Sequence, residues 1–497
     1  MVRSCSRRQL GMLLLIALAL PFRSAVAHPR LVRAVPAAGS HVQSAPRELS
    51  VTFNEPLTPA LSRLTLLDSK LKPVALDTLR AVPGDAKTLT VKVLGSMSAG
   101  RYTVKWQAAG ADGHPMRGEY TFVLDAAAGE LTTAATSAPG PISNGWSMRI
   151  SPPAVLGATH AIIAPAVAMA ALATLRQTPV DSVFGVESPA YVMIRTIQSI
   201  ALVGLLGILA LHLMILPRFA RQTSVSVVAT VGAVEQATIW WATTMLWIIG
   251  AATMARLIAQ HAVFFGSNEV WTRSSLSALL LHSGWGRAWW LAFGATAVGL
   301  WGVRRIGRAG ARGWPAVAAA ALALAASVAM SGHAAAASTL AMTLHTLHVL
   351  GAGGWIGSLA ALMLVAVPAV LQSGGEERHG HVAGLVRAFS PTALGFVGLL
   401  GVTGAIAAWR NIGSVEGLWR ESYGQVLLVK LALLSVAAGT GAYNWRRVLP
   451  ILGSDTATAR LRKSSTLELT AALVVLVVTA VLVATPMPSE MLDAMAP

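Results

Sequence analysis

The sequence predicts two folds in one chain, a small all-β sandwich followed by an all-α polytopic membrane bundle of eight helices. Three observations carry this. Residues 28–125 hold short runs rich in Val, Thr, Leu and Tyr, punctuated by Pro, Gly, Asp and Ser, as strands and turns are. From residue 191 onward, eight segments each hold about the 20 apolar residues that cross a bilayer. The whole chain of 497 residues is 54% hydrophobic and only 12% charged, with positive mean hydropathy. The net charge of +17 is no argument for a nucleic-acid partner, because membrane proteins collect Lys and Arg in cytoplasmic loops.

Residues 1–27 read as a secretory signal. Arg3, Arg7 and Arg8 form a positive start, Gly11 to Leu20 a short apolar core, and Ala25-Val26-Ala27 a small-residue cleavage site. Ten apolar residues are too few to span. Cleavage removes Cys5, the only cysteine, so disulfides and thiolate metal sites are excluded from the mature chain. Soft-metal chemistry is left to His, Met and carboxylates.

Cleavage also makes His28 the first residue. A terminal histidine offers its amine and its ring to one metal ion, and Pro29 has no backbone N–H for the metal to recruit next. The strands of the β domain are expected at 49–54, 63–67, 88–93, 101–108 and 118–124, in an antiparallel sandwich or Greek-key barrel. Between the last two lies Ala111-Asp112-Gly113-His114-Pro115. Asp112 and His114 are two apart and point to one side of an extended backbone. With both nitrogens of His28 they make an N,N,N,O set, which in tetragonal arrangement favours Cu(II) over Zn(II) or Fe(II). His41 is read as a surface residue in a turn.

Residues 126–190 begin with linker composition, rich in Ala, Ser, Pro and Gly. The apolar stretch 153–175, with His160 and Pro165, is read as interfacial. The eight helices are expected at 192–216, 236–258, 286–304, 314–332, 340–371, 388–408, 425–445 and 466–485, within a membrane domain of 191–486. With the β domain outside, the inner loops carry Arg218 and Arg221, then Arg304, Arg305, Arg308 and Arg312, then Arg378 and Arg387, then Arg446, Arg447, Arg460, Arg462 and Lys463. The outer loops carry Arg273, Arg287, Arg410 and Arg420. This is the positive-inside pattern, and a ninth helix at 153–175 would invert it. Lys430 is expected to snorkel outward, and Glu468 to meet the basic inner loop. Met487, Met491 and Met495 stand in a tail, 487–497, which then lies outside.

Met330 to Gly357 is the chemically richest apolar stretch. It holds His333, His345, His348, Met330 and Met342. A charged side chain at a helix centre costs roughly 2.5–3.5 kcal/mol on insertion scales. Histidine avoids part of that by staying neutral, and neutral imidazole is a common metal ligand. At 100° per residue Met342, His345, His348, Ala352 and Trp355 fall in one sector, which should face other helices. Gly353 and Gly357 adjoin it as a strip for close packing. Three histidines and two methionines together favour a metal path over histidines bonded only to backbone or hydroxyls.

These residues carry a resemblance. His28, Phe53-Asn54-Glu55-Pro56, Trp106, and Asp112-Gly113-His114-Pro115 with Gly118 and Phe122 resemble the CopC family of periplasmic copper-binding proteins, over essentially all of 28–125. The resemblance implies a cupredoxin-like (Ig-like) sandwich holding Cu(II) through His28, Asp112 and His114. Glu55 matches a carboxylate near that site and is implied as a weak ligand. With only Met97 and Met116, the domain lacks the Met-rich loop that serves Cu(I) in some CopC proteins. Ser331-Gly332-His333-Ala334, His345-Thr346-Leu347-His348, Trp355-Ile356-Gly357, Thr403-Gly404, Tyr423-Gly424 with Lys430, and Asn444 resemble the CopD copper-resistance membrane proteins over about 190–486. Where that family usually reads Trp-x-Gly-Gly-Leu, this chain has Trp355-Ile356-Gly357-Ser358-Leu359.

The expected function is capture of Cu(II) in the periplasm and copper transport inward across the inner membrane of a bacterial cell, with Cu(I) a possible form in the membrane domain. The expected partners are the copper ion and the lipid bilayer. No GxxxxGK[ST] motif occurs, so ATP is not expected as the driving force, and no enzymatic activity is expected. The alternative is a membrane haem-binding oxidoreductase with His ligands on facing helices. A copper oxygenase ranks last, because Asp112 would occupy the position such chemistry needs open.

Overall fold

The computed structural model describes residues 31–110, 115–125, 188–221, 225–266, 269–331, 338–372, 377–412, 414–452 and 454–484. The signal segment, His28, Asp112, His114, nearly all of the linker with the 153–175 stretch, His333 and the Met-containing tail lie outside these.

Nine strands form the β domain: β1 (Leu31–Val35), β2 (His41–Val42), β3 (Glu48–Phe53), β4 (Arg63–Leu67), β5 (Pro73–Val74), β6 (Arg80–Val82), β7 (Asp85–Lys92), β8 (Gly100–Ala109) and β9 (Pro115–Leu124). One sheet runs β1-β3-β7-β6 and the other β2-β9-β8-β4-β5. All five expected strands are present; β1, β2, β5 and β6 are additional, and three of these are only two or three residues long, too short to show alternation. His41 is in β2 and not a turn, paired in parallel with Val123. It is on the surface, as expected, with Nδ1 2.8 Å from Asp125 Oδ1.

Alternation decides which residues meet between the sheets. Tyr102 and Val104 point inward from β8 while Arg101 and Lys105 point out. Leu49, Val51, Phe53, Leu89 and Val91 from one sheet close on Leu66, Tyr102, Val104, Phe122 and Leu124 from the other. Each such buried side chain contributes about 1.5–3 kcal/mol.

The remainder is helical: α1 (Pro189–Phe219), α2 (Val225–Phe265), α3 (Arg273–Leu281), α4 (Gly284–Ala309), α5 (Trp314–Met330), α6 (Thr339–Gln372), α7 (Arg378–Ile412), α8 (Ser422–Tyr443) and α9 (Asp455–Ala484). Local chemistry sets the starts. Ser188 accepts from the Tyr191 N–H, with Pro189 in the first turn where no N–H is needed. Ser283 caps α4 through the Gly286 N–H, and Thr272 and Ser275 form a capping box on α3.

The described residues of the eight expected segments are nearly all helical, and among the described residues six helices, not the expected eight, are long and apolar enough to cross a membrane: 189–219, 227–265, 310–330, 339–372, 378–412 and 423–451. The other two segments are α4, which carries Arg287, Arg304, Arg305 and Arg308, and α9, whose first half carries Arg460, Arg462, Lys463 and Glu468.

The glycine strip packs as expected. A Cβ on Gly207 of α1 would stand 2.0 Å from the Gly357 carbonyl, and one on Gly357 2.0 Å from the Val203 oxygen. Two backbones touch there, which only glycine allows. Trp355 of the histidine stripe faces other helices, as expected. Gly353–Gly357 is a π-helical turn, so 100° per residue does not hold across it. Trp355, only 6% exposed, sits inside that turn in an apolar cluster with Val203, Ala393, Leu400 and Ala437.

Candidate metal-handling sites

The first site is an end of the β-sandwich. β8 and β9 pair in continuous register from Gly100↔Leu124 to Ala109↔Pro115. The residues between, 111–114, carry Asp112 and His114, so the hairpin fixes where that segment leaves and re-enters the sheet. Glu55 follows β3 at the same end; its Oε1 is shielded from solvent. Phe53 meets Trp106 edge to face at 5.2 Å, and Gly118 lies directly opposite Trp106. A Cβ there would be 2.4 Å from the indole. The Phe, Trp and Gly of the sequence motif thus build the wall beside the hairpin end.

That end rests on the helices. Arg117 donates from Nη2 to the Val263 carbonyl at 2.9 Å, and from Nε to Gln107 Oε1 at 3.0 Å. Gln107 donates from Nε2 to the Phe264 carbonyl at 3.3 Å. These carbonyls close α2 and lack intrahelical donors. Leu61 and Ala109 join Phe264, Leu279, Trp285 and Trp289 in an apolar cluster, and the Arg63 guanidinium lies 5.8 Å from the Phe265 ring. Sequence reasoning had no view of this contact, because Gln107 and Arg117 look like ordinary outward positions on a hairpin.

The second site is inside the bundle. His348 on α6 has Nδ1 3.0 Å from Thr403 Oγ1 on α7, and Gly404 approaches its Cε1 closely enough that a Cβ would stand at 3.2 Å. His345 lies one turn earlier and acts electrostatically on His348, as does Lys430 of α8. Lys430 itself is half-buried. Met342, His345 and His348 are half-buried, and so is Met330 at the end of α5. Among the described residues no three His, Cys, Asp or Glu side chains gather where they could hold a metal ion.

Glu468 corrects another expectation. It is 4% exposed, and its Oε2 accepts from Asn444 Nδ2 at 3.5 Å, while Asn444 Oδ1 accepts from Ser464 at 2.5 Å. It meets the amide in the π-helical turn Asn444–Val448; among the described residues no ion pair joins it to the basic loop. Two histidines passed over in the sequence also lie in the bundle, His261 buried and His212 half-buried. His261, 2% exposed, stacks on Trp271 at 4.3 Å with Nε2 3.1 Å from Ser275. His212 stacks on Trp314 at 3.9 Å. A His inside an apolar run was the available sign for both.

Two family models match the chain. The CopC domain matches residues 31–125, and Copper resistance protein D matches residues 383–482. The chain is 25% identical over 484 residues to the Copper transport protein CutJ of Bacillus subtilis, covering 96% of this chain and 77% of that one. It is 36% identical over 110 residues to Copper resistance protein C of Escherichia coli, covering 20% of this chain and 84% of the relative. Among solved structures it is similar to the methionine-rich copper resistance protein PcoC of Escherichia coli, at 35% identity over 20% of this chain and 100% of that one, with a TM-score of 0.19.

Proposed function

We propose that this chain, which belongs to the family joining a CopC domain to a CopD copper-resistance domain, captures Cu(II) on the outer side of the inner membrane and passes copper inward through its helices. It acts as a carrier and not as an enzyme. In the β domain His28 supplies its amine and ring, Asp112 and His114 complete the set, and Glu55 stands by as a weak ligand. The observation that carries the reading is the docking of the β8–β9 hairpin end on the end of α2, through Arg117 and Gln107. It sets the capture end of one domain against the helices that must receive the cargo. The docked end of α2 is opposite the end of the hairpin α4–α5 that bears Arg304, Arg305, Arg308 and Arg312. This supports an outside position for the β domain under the positive-inside rule.

Within the bundle the path would run past His333 and Met330 to Met342, His345 and His348, as Cu(I) or Cu(II). Soft thioether and imidazole donors suit copper. Beside His348 stands the Thr403 hydroxyl, a setting that favours passing cargo over a bis-histidine haem. The test is cellular: cells expressing the protein should accumulate more copper than cells lacking it, at equal external copper. Equal copper, with the protein present in the membrane fraction, would remove the transport reading.

A further inference from the structure

The outer half of the bundle holds a positive charge that the copper reading does not use. Arg256 sits on α2, nine residues before its end. Its Nη1 donates to Gln198 Oε1 on α1 at 3.2 Å, and its Nη2 to Ser331 Oγ at 3.2 Å. Its Nε is buried without a hydrogen-bond partner. Among the described residues no carboxylate forms an ion pair with it. The Trp285 ring lies 5.9 Å away. One small cavity opens there, lined by Gln198, Thr253, Arg256, Trp285 and Ser331 among others, with room for about one water-sized body.

Guanidinium cannot shed its proton, so this charge is permanent. A lone cation within a membrane bundle is costly and is compensated by a partner or by a water-lined space. The lining here offers donors and an aromatic edge but no negative group. Gln198 Nε2 is turned to Thr253 Oγ1 at 3.5 Å, and Arg195, one turn before Gln198, adds a second guanidinium over the Tyr191 ring at 4.8 Å. The cavity is too small for phosphate or a carboxylate-bearing metabolite.

We propose that the cavity between Arg256, Gln198 and Trp285 binds a single monatomic anion of the size of chloride. The anion takes the unused Nε–H and neutralises the guanidinium. Ser331, which fixes Nη2, is two residues from His333 in sequence. An uncompensated Arg256 would repel a cation entering past that histidine, and a bound anion removes the repulsion. That last consequence rests on the copper path proposed above; the anion site does not.

The test uses the full chain in detergent without copper, melted in sodium chloride and in sodium gluconate at equal sodium concentration. Ligand that binds only the folded state raises the melting temperature along a saturable curve. Chloride should do so and gluconate should not. Arg256→Gln should lose the chloride-dependent rise, and Arg256→Lys, which keeps the charge but has no Nε–H, should need about tenfold more chloride for half its effect. No difference between the salts in the unmodified protein means that the cavity holds only water and overturns the proposal. So does a full response in Arg256→Gln. Should that variant fail to fold, an unchanged half-saturation in Arg256→Lys overturns it equally. Because no copper is present, failure here leaves the copper reading standing.

Discussion

The β-sandwich and the helix bundle place polar side chains under opposite conditions. In the sandwich a ligand at an end of the sheets costs the fold little, because it stands outside the apolar core. The proposed metal set, His28, Asp112 and His114, can therefore sit in a terminus and a loop, while the core between the sheets is apolar but for the hydroxyls of Tyr102 and Tyr120. In the bundle a polar side chain shielded from water is costly unless a neighbour satisfies it. His348 is held by Thr403, Glu468 by Asn444, and Arg256 by Gln198 and Ser331. The sandwich thus separates scaffold from site, whereas the bundle builds its polar residues into its packing. Removing a ligand should spare the fold in the first region and disturb it in the second.

The sharpest way to press that difference is at the mature N-terminus. One extra residue before His28 blocks the chelate without touching the core. Cu(II) affinity should fall by more than the roughly 10–100-fold typical of losing an outer-sphere partner, with no change in melting temperature. A competition titration reads the first and calorimetry the second. Unchanged affinity would break the comparison, because the site would then not depend on the terminus.

Next in size come two glycine substitutions. In Gly207→Ala the new methyl meets the backbone of Gly357, which cannot yield without moving α6. In Gly118→Ala it meets the Trp106 indole, a side chain that can tilt. Overpacking costs about 1–3 kcal/mol. Gly207→Ala should lie at or beyond the upper end of that range, seen as lost yield of folded membrane protein, and Gly118→Ala nearer the lower end.

Such contacts also mark how far the sequence could be read. Alternation in 101–108 and 118–124 announced a half-buried hairpin, and apolar length announced the helices. Gly353 and Gly357 were legible as a packing strip because small residues spaced by four recur at helix contacts. The partner of that strip, Gly207, was not legible, since α1 and α6 are joined only by packing. The same limit hid the hold of Thr403 on His348, 55 residues apart, and the neutral partner of Glu468. The π-helical turn at Gly353–Gly357 was not legible, because periodicity assumes an unbroken 3.6 repeat. Docking of Arg117 and Gln107 on α2 joins residues about 150 apart, and nothing local signals it. The proposed copper ligands were read from cleavage and spacing together with the family likeness.

A smaller effect is expected at Thr403→Val. It takes away the hydroxyl beside His348 Nδ1 while keeping the volume, and leaving a buried polar group unpaired costs about 1–3 kcal/mol. The melting temperature should drop while Cu(II) binding by the β domain stays intact. A fully stable variant would show that the Leu400 backbone, also on α7, suffices to hold His348.

The smallest concerns Tyr120 in β9. Its hydroxyl is buried with no hydrogen-bond partner, and burial pushes it from the ordinary 10.0 up to about 12. The folded state thus holds this proton more tightly than the unfolded state. The resulting stability is present below pH 10 and is lost as pH rises through about 12. Tyr120→Phe should flatten the alkaline limb of the stability profile and leave neutral-pH stability unchanged or slightly raised. An unaltered alkaline limb would show that another group controls it.

The central claim is that copper captured by the sandwich passes through the histidines of α6. It is tested most directly by copper accumulation in cells expressing the unmodified chain or the double variant His345→Leu/His348→Leu, at matched protein level in the membrane fraction. Leucine is cheaper in lipid than histidine, so insertion should survive, and so should Cu(II) binding by the β domain. The account predicts that copper accumulation falls to the level of cells without the protein. Normal protein level with normal copper accumulation would contradict it.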